Sequence, residues 1–319
     1  MGAGSEHGRA GPIVMVTEAV GRRLNGVPPM KTTRRDFLAT TGVAAMGLAP
    51  WARAAERVAA PKPSPMKLGL VTYNLAKDWD IETLIKNCEA AGFDGAELRT
   101  THGHKVEIGL SPDERAGVRK RFADSRVQLY GLGSAFDYHT PDASKLRQDI
   151  DATKEYIVLA HDVGASGVKV RPNGLPKEVP VEKTLEQIGL ALRELGKFAA
   201  DHGQMIRLEV HGAGTSLLPH IRRILDVADH KNVGACWNSN QTDLEGDGFD
   251  HNLALVKGRI VEVHMRDLYL EEYPWRRLIT GLVASGYTGY CLAEIPESRD
   301  PVRVMRYFRG LWLAYQGLV

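Results

Sequence analysis

Only three cysteines occur in 319 residues, and none stands in a C-x-x-C spacing. That scarcity excludes a disulfide-stapled scaffold and a cage of thiolates around a metal. Cys88, Cys236 and Cys291 each sit inside an apolar stretch, where a free thiol behaves as a small hydrophobe. No charge-free apolar run reaches the ~20 residues that a membrane-spanning helix needs. The first strand-like run continues as VTYNLAKDWD, without the G-x-G-x-x-G turn of a dinucleotide fold, and no glycine-rich loop of the kind that cradles phosphate follows elsewhere. Long basic runs are missing too. Residues 1–54 carry seven basic and three acidic side chains, which leaves 34 basic against 36 acidic in the remainder, a net charge of −2. Such a body gives little footprint for a nucleic-acid backbone and argues against a DNA or RNA partner. With 43% hydrophobic and 25% charged residues the composition is globular, so disorder and fibre are excluded as well.

The first 54 residues read as an address. TTRRDFLATT (32–41) places the pair Arg34-Arg35 before Asp36, Phe37 and Leu38, and an uncharged stretch of about 14 residues runs to Pro50. Ala52-Arg53-Ala54 behind it has the A-x-A form of a cleavage site, and the whole resembles a twin-arginine export signal. The expected mature chain begins near Ala55 and is periplasmic or otherwise exported, with no stable membrane span. Residues 1–29 precede Met30, which reads as a natural start. The Pro-rich stretch 55–66 is expected to be a linker and 67–319 the folded body.

From Lys67 onward short apolar runs alternate with longer amphipathic ones. Strand-type runs fall at 68–73, 95–99, 127–133, 167–171, 206–210, 233–237, 260–265 and 290–295. Helical patterns lie between them at 81–91, 112–125, 143–163, 181–202, 217–229, 250–258 and 274–284, and 301–316 closes the chain. The order helix, glycine, strand recurs in AAGFDGAELR, DVGASGVKVR and ASGYTGYCLAE, the glycine supplying the φ > 0 residue that ends a helix. Eight alternating units predict an α/β protein, a single (β/α)8 barrel, rather than two domains or a doubly wound sheet. An open sheet of eight parallel strands is the alternative that the pattern leaves.

In such a barrel chemistry gathers at the C-terminal ends of the strands. Glu209 in RLEVHG, Asn238 in ACWNSN, His264 in VEVHMRD and Glu294 in CLAEIPES are separated by 29, 26 and 30 residues, about one βα unit each. Singly, each has a plain structural reading as a solvated strand end, a hydrogen-bonded core histidine or a turn former. Their common register favours a metal site: two carboxylates, an imidazole and an amide oxygen suit one Mn²⁺, Mg²⁺, Co²⁺ or Zn²⁺ ion. His211, two residues past Glu209 on the same face, and Lys169 and Arg171 on the fourth strand are candidate substrate contacts, as are His102, Gln241 and Arg266. His104 accompanies His102 in a loop over the mouth. Lys169 and Arg171 also read as paired charges at a barrel end. Asp267 is expected to hydrogen-bond His264 from behind. Tyr138 and His139 lie in a loop within reach of a substrate, Trp79 is a possible stacking surface for a sugar, and Trp237 reads as core.

On the motifs E-x-H at 209–211, H-x-x-D at 264–267 and A-E at 293–294, the segment 67–316 resembles the xylose-isomerase-like TIM-barrel superfamily of sugar isomerases and epimerases. That superfamily also includes inosose dehydratases, hydroxypyruvate isomerases and endonucleases of the endonuclease IV type. The resemblance implies that Glu209, Asn238, His264 and Glu294 hold one divalent metal, with the two glutamates as acid and base. Two positions depart from the epimerase pattern: its aspartate on the sixth strand is Asn238 here, and its histidine three residues later is Gln241. An amide oxygen binds a cation less strongly than a carboxylate.

Proton transfer beside a carbonyl needs a base, an acid and something that stabilises the developing oxyanion. The leading expectation is therefore an exported, metal-dependent isomerase, epimerase or lyase acting on a non-phosphorylated sugar or keto-glycoside. The alternative, favoured by Asn238, is a non-catalytic carbohydrate-binding protein. An endonuclease on abasic DNA ranks third, because it calls for a histidine-rich three-metal cluster and a basic groove.

Overall fold

The computed structural model describes residues 64–319, so the segment read as an export signal lies outside the described residues. Each apolar run forms a strand: β1 Lys67–Val71, β2 Gly95–Arg99, β3 Gln128–Gly133, β4 Gly167–Val170, β5 Met205–Glu209, β6 Val233–Trp237, β7 Ile260–Met265 and β8 Tyr290–Ala293. The helices between them are α1 Ile81–Ala91, α2 Pro112–Ala123, α3 Ala143–Val163, α4 Val181–Asp201, α5 Leu218–Ala228, α6 Phe249–Val256 and α7 Trp275–Ala284, with α8 Pro301–Tyr315 last. Neighbouring strands pair in parallel, and β1 pairs with β8 through Leu68↔Cys291 and Leu70↔Ala293, so the sheet closes into a barrel. That closure excludes the open sheet. Among the described residues, no helix is long and apolar enough to cross a membrane.

Local chemistry sets where the helices begin and end. The Asp80 carboxylate accepts from Thr83 N–H at 2.8 Å, and Ser111 with Glu114 forms a reciprocal capping box. Gly92 and Gly164 end α1 and α3 at φ 74° and 82°, the left-handed conformation that the repeated sequence pattern anticipated. Met66, within the expected linker, is 3% exposed and packs in the core, with Cys291 Sγ 3.8 Å from its sulfur. All three cysteines are free and buried.

The outer core, between strands and helices, is apolar. The lower barrel interior is not, because Arg207 on β5 lies there only 2% exposed. Its guanidinium stacks on Tyr130, 3.8 Å from the ring centroid, and Nη2 donates to Ser166 Oγ at 2.8 Å. Glycine makes that room: a Cβ on Gly167 would stand 2.9 Å from Arg207 Cζ.

Behind β6, Trp237 is fully buried and its Nε1–H donates to the Tyr273 hydroxyl at 2.9 Å, in line with its reading as core. That hydroxyl donates to Asp243 Oδ2 at 2.6 Å, and Asn240 N–H donates to the same oxygen at 2.9 Å. Burial pushes the Asp243 carboxyl from 3.8 up to about 7, against the smaller opposing effects of Tyr273 and Asn240. Since the folded value is the higher one, native protein holds a proton here that the unfolded chain has released. The resulting stabilisation is complete below about pH 4 and is lost as pH rises to about 7. At 1.36 kcal/mol per unit the loss amounts to roughly 4 kcal/mol. The expected result is a melting temperature that falls between about pH 4 and pH 7 in the parent and much less in Asp243→Asn. Equal slopes in thermal melts of the two proteins would show that another group is responsible.

Candidate active site

Side-chain alternation turns every second residue of each strand into the barrel. At the level where the strands end, this brings Glu97 (β2), Lys169 (β4), Glu209 (β5), Cys236 (β6), Glu262 and His264 (β7) together, all at most 4% exposed except for Glu294 at the end of β8, whose side chain is 21% exposed. His264 is the centre. Its Nδ1 lies 3.7 Å from Glu209 Oε1 and 3.8 Å from Glu294 Oε2, and its Nε2 lies 3.6 Å from Glu97 Oε1 and 3.7 Å from Glu262 Oε2. These spacings are too long for hydrogen bonds, and both ring nitrogens are buried without a partner. Lys169 Nζ donates to the other Glu209 oxygen at 2.7 Å.

The arrangement suits a divalent ion on the Nδ1 side. Donor atoms of Glu209, His264 and Glu294 lie within 4.8 Å of one another, and an ion at ~2.1 Å from each ligand sets donors about 3.0–4.2 Å apart. Charge gives the same answer. Four carboxyl groups, Glu97, Glu209, Glu262 and Glu294, face two fixed cations, Lys169 and Arg207, and although burial lowers His264, its neighbours Cys236 and Glu97 outweigh that and hold the imidazole well above its ordinary value, an environment that favours positive charge. A second trio, Cys236, Glu262 and His264, shares the same imidazole on its inner side.

Burial and neighbouring charge push the two upper carboxyls apart. Burial would raise Glu209, but Lys169 and His264 outweigh it and hold the carboxyl well below the usual range. Burial raises Glu294, with His264 opposing. Glu97 is lowered because His264, Lys169 and Arg207 overcome its burial, whereas burial and Glu97 together push Glu262 up to about 7. Lys169 stays protonated: burial lowers it, but Glu209 and Glu97 more than compensate.

The other residues singled out from sequence are distributed unevenly. Asn238 follows β6 half-buried, its Nδ2 donating to Asn240 Oδ1 at 3.4 Å. His211 is half-buried, with Nδ1 unpartnered. Arg171 donates to Ala135 O at 3.3 Å and Arg266 to Ser239 O at 2.9 Å. His102 stands over the first strand, Nδ1 at 3.1 Å from Thr72 Oγ1 and its ring parallel to that of Tyr73. His104 is structural instead: Nε2–H donates to Arg99 O at 2.7 Å and Nδ1 accepts from Val106 N–H at 3.0 Å. Tyr138 is not a substrate-facing loop residue but fully buried, with its hydroxyl 2.9 Å from Thr153 Oγ1, while His139 Nδ1 lies 3.0 Å from Asp137. Trp79 packs half-buried against the core. Gln241 is exposed at the start of a 3₁₀ turn, Gln241–Leu244. Asp267 makes no side-chain hydrogen bond to His264 among the described residues; Glu97 and Glu262 flank the inner nitrogen in its place.

Glu97, Arg207, Glu262 and the inward-facing Cys236 were not singled out. The signal for three of them was present in GAELR, IRLEV and VEVHM, where a charge interrupts a strand that a parallel barrel should bury on both faces.

The chain belongs to the xylose isomerase-like TIM barrel family, whose profile matches residues 85–310. Solved structures of the same fold include the 3-keto-D-glucoside 4-epimerase YcjR from E. coli, at 17% identity and a TM-score of 0.66 over 78% of this chain and 99% of that one. Another is the D-psicose 3-epimerase of Clostridium cellulolyticum H10 with D-tagatose, at 14% identity and a TM-score of 0.67 over 79% and 99%. The IolI protein, with a bound zinc atom, matches at 16% identity and a TM-score of 0.66 over 78% and 99%. These likenesses establish the fold of sugar isomerases and epimerases. No curated protein matches the chain by sequence.

Proposed function

We propose that this chain is a divalent-metal-dependent isomerase or epimerase, or a lyase of the same proton-transfer type, acting on a non-phosphorylated sugar or keto-glycoside. The carrying observation is the unpartnered Nδ1 of His264, buried between the Glu209 and Glu294 carboxylates at 3.7 and 3.8 Å. Glu209, His264 and Glu294, with the amide oxygen of Asn238, would hold the ion. When bound, it supplies positive charge against the oxyanion that develops as a carbon-bound proton leaves. Glu209, which accepts from Lys169 at 2.7 Å, and Glu294, across the imidazole from it, are the pair that would move the proton. Lys169, Arg171, His211 and His102, together with Arg266 and Gln241, would hold the sugar's oxygens. Glu97 and Glu262, 3.6 and 3.7 Å from Nε2, stand behind the imidazole. The activity of the sugar epimerases with this fold supports the reading, as does the twin-arginine segment for its placement outside the cytoplasm, reached as a mature chain from near Ala55.

The test is solvent exchange. Protein reconstituted with Mn²⁺ or Co²⁺ and incubated in D2O with keto-sugars should bind about one ion per chain and introduce one deuterium next to the carbonyl, read by mass spectrometry. Sugar binding with neither metal nor exchange would replace this reading with that of a non-catalytic carbohydrate-binding protein.

A further inference from the structure

Inside the barrel Lys169 faces Glu209 at 2.7 Å and Arg207 faces Glu262 at 4.0 Å, and Arg99 and Arg171 at the mouth take part in neither pair. Arg99 ends β2 in register with Gly133 of β3, which pairs in turn with Lys169 of β4, two residues before Arg171 on the same face, and the Glu97 carboxylate occupies the room that Gly133 leaves. Neither forms an ion pair among the described residues: Arg99 Nη1 donates to Thr100 Oγ1 at 2.6 Å, Arg171 Nη2 donates to Ala135 O at 3.3 Å, and Arg171 Nε is buried without a partner. Of the acids on this side, Glu97 faces His264 Nε2 at 3.6 Å, Asp137 accepts from Asn173 Nδ2 at 3.2 Å, and Glu107 accepts from Thr101 N–H at 2.6 Å and from the Tyr156 hydroxyl. His211, two residues past Glu209 on the same face of the chain, also has an Nδ1 without a partner.

We propose that Arg99, Arg171 and His211 form an anion subsite on the β2–β5 side of the mouth, and that the substrate is a keto-sugar carrying a carboxylate. This rests on the function proposed above and narrows its substrate class. Two planar forks suit a carboxylate, which accepts paired N–H bonds, and a neutral sugar would leave both cations partly desolvated and unpaired. The metal-binding groups occupy the β5–β8 side, so a substrate lying across the mouth would present its carbonyl to Glu209 and Glu294 and its anionic end to the arginines.

The test compares D-fructuronate, D-fructose and D-fructose 6-phosphate by calorimetry and by deuterium exchange on the metal-loaded protein. Fructuronate is expected to bind at least about tenfold more tightly than fructose, and Arg99→Met or Arg171→Met to reduce that preference by about tenfold each. Arg171→Lys, which keeps the charge without the fork, should retain part of it and controls for folding. Equal affinity for fructose and fructuronate, or a preference unchanged in the Met variants, overturns the subsite. Tighter binding of the phosphate ester overturns the carboxylate assignment. Arginine-dependent binding of fructuronate without exchange would uphold the subsite and sink the isomerase reading, whereas exchange of fructose as efficient as that of fructuronate would do the reverse.

Discussion

Glu294→Gln is expected to slow exchange of the carbon-bound proton by about 10²–10⁴-fold, the usual contribution of a positioned acid or base, while the protein melts close to the parent. Glu294 is the most exposed of the four carboxylates around His264 and has no basic partner other than that imidazole, so an amide of the same shape leaves no cation stranded. Glu209→Gln should differ in kind. The loss of exchange should be as large, but Lys169, with its side chain 5% exposed, would lose the carboxylate it donates to at 2.7 Å. Removing one partner of a buried pair costs roughly 3–5 kcal/mol, so this variant should also melt lower. Both should bind less metal, measured by elemental analysis after dialysis. Full exchange in Glu294→Gln would remove that residue from the proton-transfer pair, and equal melting of the two variants would show that the Lys169–Glu209 contact is not a buried ion pair in solution.

Arg207→Met should be the most destabilising change without direct contact with the mouth. Its guanidinium is 2% exposed, stacked on Tyr130 and 4.0 Å from Glu262 Oε1, and among the described residues it and Lys169 are the buried cations facing the four interior carboxyl groups. Methionine fills much of the volume but leaves Glu97 and Glu262 uncompensated, again at roughly 3–5 kcal/mol. For a domain of this size that corresponds to a fall in melting temperature of about 6–20 °C. Adding Glu262→Gln to Arg207→Met should recover part of the loss, because the unpaired charge is then gone. A double variant no more stable than the single one would attribute the effect to packing instead.

Much of the barrel could be read from local pattern. Ile81–Ala91 and Ala143–Val163 were bounded at both ends because Asp80 and Asp142 cap their starts and Gly92 and Gly164 take the left-handed turn at their ends, all within a few residues of sequence. Closure was another matter, since it rests on β1 hydrogen-bonding β8 across more than two hundred residues of chain, and no local signal distinguishes a closed ring from an open sheet. Glu209, His264 and Glu294 were legible through their spacing, which follows the βα repeat. Tyr138 and Asp267 were misplaced for the opposite reason: whether a loop side chain turns to the mouth or into the core is decided by what packs around it, here Thr153 for Tyr138.

By itself, then, the sequence determined the periodicity, the strand and helix order, and which residue types could stand at the ends of β5 to β8, because these depend on neighbours along the chain. Only the tertiary structure decided which charges face one another. Glu97 on β2 and Glu262 on β7 lie 165 residues apart in sequence yet reach the same ring nitrogen at 3.6 and 3.7 Å. Coulomb interactions and desolvation act through space, so the balance that keeps Glu209 ionised, raises Glu294 and leaves Arg99 and Arg171 without acidic partners exists only once the barrel has closed around them.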